Sequence, residues 1–194
     1  MKRGPFIALA FLSLAVLILF PFDVQIGMSV RDVVPDTWDD SLNFASNWGL
    51  YVFYASFAAL MIYSLARKKK RLTSICIAYL KAQIIFAFLT VRVLKILLGR
   101  ARPLYGTEFT FFSFDSGYNA FPSGHAADAF VSGVFLYCLL RNSWYRFLPI
   151  AYALFMAWLR MAVSVHHPSD VVAGMAIGII GARYMLRRED RWCR

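Results

Sequence analysis

The chain's three histidines, His125, His166 and His167, each stand beside residues able to work with an imidazole. His125 closes the stretch Pro122-Ser123-Gly124-His125, where loop residues give way to an apolar run. Ser123 sits where a helix N-cap belongs. The unpaired N–H groups of the first turn, Gly124 included, combine with the positive end of the helix dipole to make an anion site. An imidazole on that turn can donate a proton to a leaving oxygen, or be a polar interface residue with no chemical task. His166 and His167 stand just before Pro168, which marks the first turn of another helix, and Asp170 falls within that turn. Its carboxylate can satisfy the helix N-terminus, or hold one imidazole nitrogen so that the other is free to attack.

Cations accompany these groups. Lys95 and Arg102 are seven residues apart, which returns to nearly the same helix face if the helix runs on to Pro103. Two cations about 10 Å apart along an axis can bracket an anion of phosphoryl size, or be unrelated surface charges. Arg160 adds a third. Charges inside apolar runs cost about 2.5–3.5 kcal/mol each on insertion scales, so each is a functional hypothesis or a side chain reaching back to the interface. Arg92 and Asp128 lie one turn deeper than Lys95 and His125, and their spacing predicts a pair beneath the site. The alternative is that Asp128 bonds His125 or water.

The elements that must position these residues are apolar. Of 194 residues, 60% are hydrophobic and 16% charged, which excludes an ordinary soluble domain. Apolar stretches run from Pro5 to Phe22, Trp48 to Ala66, Leu72 to Leu98, Gly124 to Leu140, Phe147 to Val165 and Pro168 to Leu186. Each is near the length that spans a bilayer, so the fold class expected is all-α: six transmembrane helices in a bundle, one domain over residues 1–194. The first stretch follows Lys2 and Arg3 like a signal peptide, but no small-x-small site follows Phe22, so a retained anchor is expected. A net charge of +10 does not point to nucleic acid, because the basic residues alternate with the spans. Lys2-Arg3, Arg67 to Arg71, Arg141, Arg146 and the arginines from Arg187 onward fall on one side, predicted cytoplasmic along with both termini. The loop from Asp23 to Asn47 carries five aspartates against Arg31 and lies on the other side. There a short helix after Asp36, ending at Gly49, is expected to lie along the interface as a partial roof. Gly174, Gly178 and Gly181 form a small-residue stripe for close helix packing. Cys76, Cys138 and Cys193 have no metal-ligand spacing, and no disulfide framework is expected. All three histidines fall on the outer side, in two clusters.

The motifs K-x6-R-P (Lys95, Arg102-Pro103), P-S-G-H (Pro122 to His125) and R-x5-H-x3-D (Arg160, His166, Asp170) occur in that order, and with them the chain resembles the type-2 phosphatidic acid phosphatase superfamily, particularly its small six-helix bacterial lipid phosphatases. The resemblance implies a helical bundle and phosphate hydrolysis through a phosphohistidine, with no metal or other cofactor. It implies His166 as nucleophile, Asp170 as its orienting carboxylate and His125 as general acid. Lys95, Arg102, Arg160, the Ser123 hydroxyl and the Gly124 amide would hold phosphate oxygens. Leu159 stands where the family usually has a serine, and His167 where a tyrosine is common. The implied partner is a lipid phosphate in a bacterial cytoplasmic membrane, met at the periplasmic or outer face: phosphatidylglycerol phosphate, phosphatidic acid, an isoprenyl pyrophosphate or a lipid A phosphate. A phosphotransferase would share the first half-reaction. A non-catalytic transporter of anionic lipid would need no nucleophile, and the related vanadate haloperoxidases are soluble.

Overall fold

A computed structural model describes residues 14–140 and 143–188. Along them run six helical segments: α1 (Leu14–Asp32), α2 (Asp36–Ala66), α3 (Lys70–Leu98), α4 (Gly124–Leu139), α5 (Leu148–Ala162) and α6 (Pro168–Arg188). The described residues contain no strand; one isolated antiparallel bridge joins Arg100 to Phe109. α1, α2, α3 and α6 are long and apolar enough to cross a membrane, and α4 is a shorter apolar helix.

α4 is the axis of the bundle. Ala126, Ala127, Ala129, Ser132 and Gly133 give it a slim buried surface that lets neighbours approach. One apolar cluster joins Phe53 of α2, Phe130 of α4 and Met156 and Leu159 of α5. A second joins Phe57 of α2, Ile75 and Tyr79 of α3 and Phe135 of α4. The small-residue stripe on α6 has a direct purpose: a Cβ on Gly174 would sit 2.2 Å from the carbonyl oxygen of Ser123, so α6 presses its backbone against the start of α4. The outward surface carries large apolar side chains such as Leu17, Ile62 and Phe88, each more than 60% exposed, a surface suited to lipid rather than water.

Several expectations change. α3 stops at Leu98 because Gly99 takes the left-handed conformation that ends a helix, at φ 54° and against Thr110, where no side chain fits. Lys95 and Arg102 therefore do not share a helix face; Arg102 arrives on the loop. The loop expected from Asp23 to Asn47 is also shorter than predicted. α1 continues to Asp32, and the helix after Asp36 runs through Gly49, still right-handed, into the second apolar stretch, so it extends α2 rather than forming a separate roof. Among the described residues Cys76 is free and buried. Residues Pro5 to Ser13 of the proposed anchor, both terminal basic clusters apart from Arg187 and Arg188, and Arg141 lie outside the described residues.

Candidate active site

Three chain segments meet at one end of the bundle. The first is the end of α3 and the loop after it, which supply Lys95 and Arg102. The loop is pinned by backbone hydrogen bonds from Thr110 to Gly99 (2.8 Å), Ala101 to Glu108 (2.9 Å), Arg102 to Gly117 (2.9 Å) and Ala120 to Arg100 (3.0 Å). Lys95 Nζ donates to the carbonyl of Asn119, which draws the ammonium toward the start of α4.

The second segment is the N-terminus of α4. Ser123 caps it, its Oγ accepting from the Ala126 N–H at 3.4 Å, and this leaves the hydroxyl proton free to donate elsewhere. The Ser123 N–H donates to the Asp170 carbonyl at 2.9 Å, tying α4 to the first turn of α6. A Cβ on Gly124 would meet only Val91 at an ordinary 3.6 Å, so the first-turn backbone stays approachable.

The third segment, from the end of α5 to the start of α6, brings Arg160, His166, His167 and Asp170. The backbone N–H groups of Val165 and His166 both donate to the Arg160 carbonyl at 3.2 Å, folding the linker back over the helix end. Arg160 Nη1 is 2.5 Å from Ser46 Oγ of α2. Both histidines are buried, 3% exposed each.

Their charges are mutually felt. His125 experiences Arg160, His166, Lys95 and Arg102; Lys95 experiences Arg102 and Arg160; His166 experiences Lys95, Asp170 and Arg160. All eight expected residues thus share one end of the bundle. Among the described residues Lys95, Arg102 and Arg160 have no carboxylate within salt-bridge distance, whereas Arg31 is matched by Asp36 and Asp39, and Arg100 by Asp23 and Asp170. Three like charges left without a counter-ion around a helix N-terminus form a receptor for a multiply charged anion. No three His, Cys, Asp or Glu side chains among the described residues cluster as metal ligands.

His166 Nδ1 lies 3.7 Å from Asp170 Oδ2, longer than a hydrogen bond, and has no other partner. Burial, reinforced by Lys95 and Arg160 and opposed by Asp170, pushes the His166 imidazole down to about 4, so it is neutral at ordinary pH. His167 is also lowered, by burial first and then by Arg100. Its electrostatic surroundings are Arg100, Asp170 and Asp23 rather than the cation cluster.

Three residues without an assigned role in the sequence prove central. Arg100, 1% exposed, donates from Nη1 to Asp170 Oδ1 (2.6 Å) and Ser169 Oγ (2.7 Å), and from Nη2 to Asp23 Oδ2 (2.7 Å). Ser169 N–H donates to Asp23 Oδ1 at 2.8 Å, and its hydroxyl to the same carboxylate. The rings of Phe20 and Phe109, stacked on each other at 5.9 Å, both lie against the guanidinium. Asp170 Oδ2 also accepts from the His167 N–H at 2.8 Å, so the carboxylate beside His166 is held from two sides. The one available signal was Arg100 itself, a second arginine two residues before Arg102. The expected Arg92–Asp128 pair does not form. Arg92 is exposed, and Asp128 accepts from Tyr54 and Gln83 instead, not from His125.

The family model for the PAP2 superfamily matches residues 71–192, a range holding every one of these eight site residues. The chain belongs to the PAP2 superfamily. The lipid A 1-phosphatase of Rhizobium johnstonii is 32% identical over 180 residues, covering 86% of this chain and 73% of that one. A lipid A 4'-phosphatase of Bacteroides thetaiotaomicron is 39% identical over 61 residues, 31% of this chain and 27% of that one. Two crystal structures share the PAP2 fold. The phosphatidylglycerolphosphate phosphatase of Bacillus subtilis superposes with a TM-score of 0.68 at 16% identity over all of both chains. LpxE of Aquifex aeolicus gives 0.63 at 22%, over 86% of this chain and 95% of that one.

Proposed function

We propose that this PAP2 protein is a bacterial cytoplasmic-membrane lipid phosphatase with six spans and cytoplasmic termini. It removes a phosphate from a lipid at the periplasmic face through a phosphohistidine, without a metal ion. Among the substrate classes open to the family, a lipid A phosphomonoester is the first choice, because the relatives matched along most of this chain carry that activity in their names. The observation that carries the reading is the cluster of Lys95, Arg102 and Arg160, unmatched by carboxylates, around a neutral buried imidazole and a helix N-terminus.

The chemistry follows from those positions. The phosphate oxygens take hydrogen bonds from the three cations, the Ser123 hydroxyl and the Gly124 N–H, which offsets the charge spread over the equatorial oxygens in the transition state. His166 is uncharged and presents Nε2 as nucleophile, with Nδ1 toward Asp170; closing the 3.7 Å separation on substrate binding stabilises the imidazolium that forms. The new N–P bond forms as the P–O bond to the lipid breaks, and His125 gives its proton to the departing oxygen. A water then attacks the phosphohistidine, its proton passing to His125, and inorganic phosphate leaves with His166 restored. Metal ions stabilise this charge in many phosphoryl-transfer enzymes; here three fixed cations and a helix terminus do so.

Phosphate release by the detergent-purified protein in excess chelator, across lipid monophosphates and diphosphates, tests this reading. Turnover of a lipid A phosphomonoester is expected, and none by His166→Ala. Turnover that needs an added divalent ion, or that survives His166→Ala, contradicts it.

A further inference from the structure

Beside His125, a cleft of about 500 Å3 opens between α2, α3 and α4. Leu50, Ile84, Ala87 and Phe88 give it apolar walls, and it reaches Gly124 and His125. Its α3 wall comes from a π-helical stretch, Gln83–Thr90, an irregularity often found where a helix serves a site.

One carboxylate lines this cleft. Asp128 Oδ1 accepts from Gln83 Nε2 at 2.8 Å, and Oδ2 accepts from the Tyr54 hydroxyl. Gln83 Nε2 is further anchored by Ser132 Oγ at 2.9 Å and Tyr79 at 3.1 Å. No cation pairs with Asp128 among the described residues. A carboxylate offers about four acceptor positions, and the neutral donors Tyr54, Gln83 and Ser132 leave at least one open. A half-buried anion in an apolar cleft without a cation is costly, and a donor arriving with a ligand relieves part of that cost. Asp128 is three residues after His125, one turn or about 4.5 Å further along α4. A leaving oxygen protonated by His125 therefore places the next atoms of the leaving group beside Asp128.

We propose that Asp128, held by Tyr54 and Gln83, is a specificity determinant. It accepts a hydrogen bond from an amide N–H or hydroxyl on the carbon next to the one bearing the phosphate. This deepens the phosphatase reading and rests on it. Acylamino-sugar phosphates and lipids with a free neighbouring hydroxyl carry such a donor. Phosphatidic acid, whose neighbouring carbon bears an ester, and isoprenyl phosphates do not.

Two matched pairs test the proposal on purified full-length protein. One is an acylamino-sugar 1-phosphate lipid and its acyloxy analogue; the other is lysophosphatidic acid with a free 2-hydroxyl and phosphatidic acid. Wild type is expected to favour the donor-bearing member of at least one pair by roughly tenfold or more in kcat/KM. Which pair shows it tells amide from hydroxyl. Asp128→Ala, which removes the acceptor, is expected to bring that ratio to within about twofold, and Tyr54→Phe, a smaller change that serves if the first variant does not fold, to reduce it. A merely structural role lowers both members together and keeps the ratio. No preference in wild type, or a ratio unchanged in the variants, overturns the proposal. A wild type that releases phosphate from no lipid overturns the phosphatase reading itself.

Discussion

At the residue scale, the proposed chemistry depends on an imidazole kept neutral. His166 is buried beside Lys95 and Arg160, and its pKa near 4 means that it loses a proton acceptor's lone pair only as the pH falls through that value, not through 6.5. With the substrate's own second ionisation near pH ~6 divided out, kcat/KM is expected to show no acid limb between pH 5 and 7 from the nucleophile. A limb near 6.5 that persists after this correction would mean a solvated histidine. The residues of this site were legible because each motif is short and local: a cap, a first turn, a histidine four residues before an aspartate. The Arg92–Asp128 expectation failed on direction rather than depth. Arg92 and Lys95 differ by about 60° around the helix, enough to leave Arg92 outside while Lys95 turns inward.

At the element scale, what escaped the sequence was long-range pairing. Arg100 joins Asp23 of α1 to Asp170 of α6, partners 77 and 70 residues away, and no local pattern announces that a charge on a loop will answer charges in two distant helices. The shared helix face of Lys95 and Arg102 failed for a related reason. It required the helix to run on from Leu98 to Pro103, whereas the approach of Gly99 to Thr110, which ends α3, depends on how the following loop returns. The network yields a stability prediction. Asp23→Ala removes one of two carboxylates from a buried guanidinium and is expected to destabilise the protein by about 3 kcal/mol, seen as a lower Tm in detergent. Asp32→Ala, an exposed aspartate on the same helix, is expected to change stability by no more than about 0.5 kcal/mol. Equal effects would mean that α1 is not held through Arg100.

At the scale of the whole molecule, the helices form a scaffold that carries its chemistry at one end and its basic turn at the other. The turn at Arg67 to Lys69 joins α2 to α3, at the opposite end of α3 from Lys95 and the loop holding Arg102. Under the proposed topology, the positive-inside pattern assigns that turn to the cytoplasm and the site to the other side. Cysteine introduced at Thr107 is therefore expected to react with a membrane-impermeant maleimide in spheroplasts, and cysteine at Lys68 only after lysis; the reverse pattern would invert the topology. The bundle was legible because apolar runs of this length have few alternatives in a bilayer. The convergence of three distant segments was not, since it depends on the small faces of α4 and α6 meeting.

That convergence is tested most directly by trapping the phosphoryl group. Purified protein mixed with a lipid phosphate in chelator, quenched in base within the first turnovers and mapped by mass spectrometry, is expected to carry a phosphate on His166, both in wild type and in His167→Ala. A phosphate found on His167, or on neither histidine while turnover proceeds, would contradict the account.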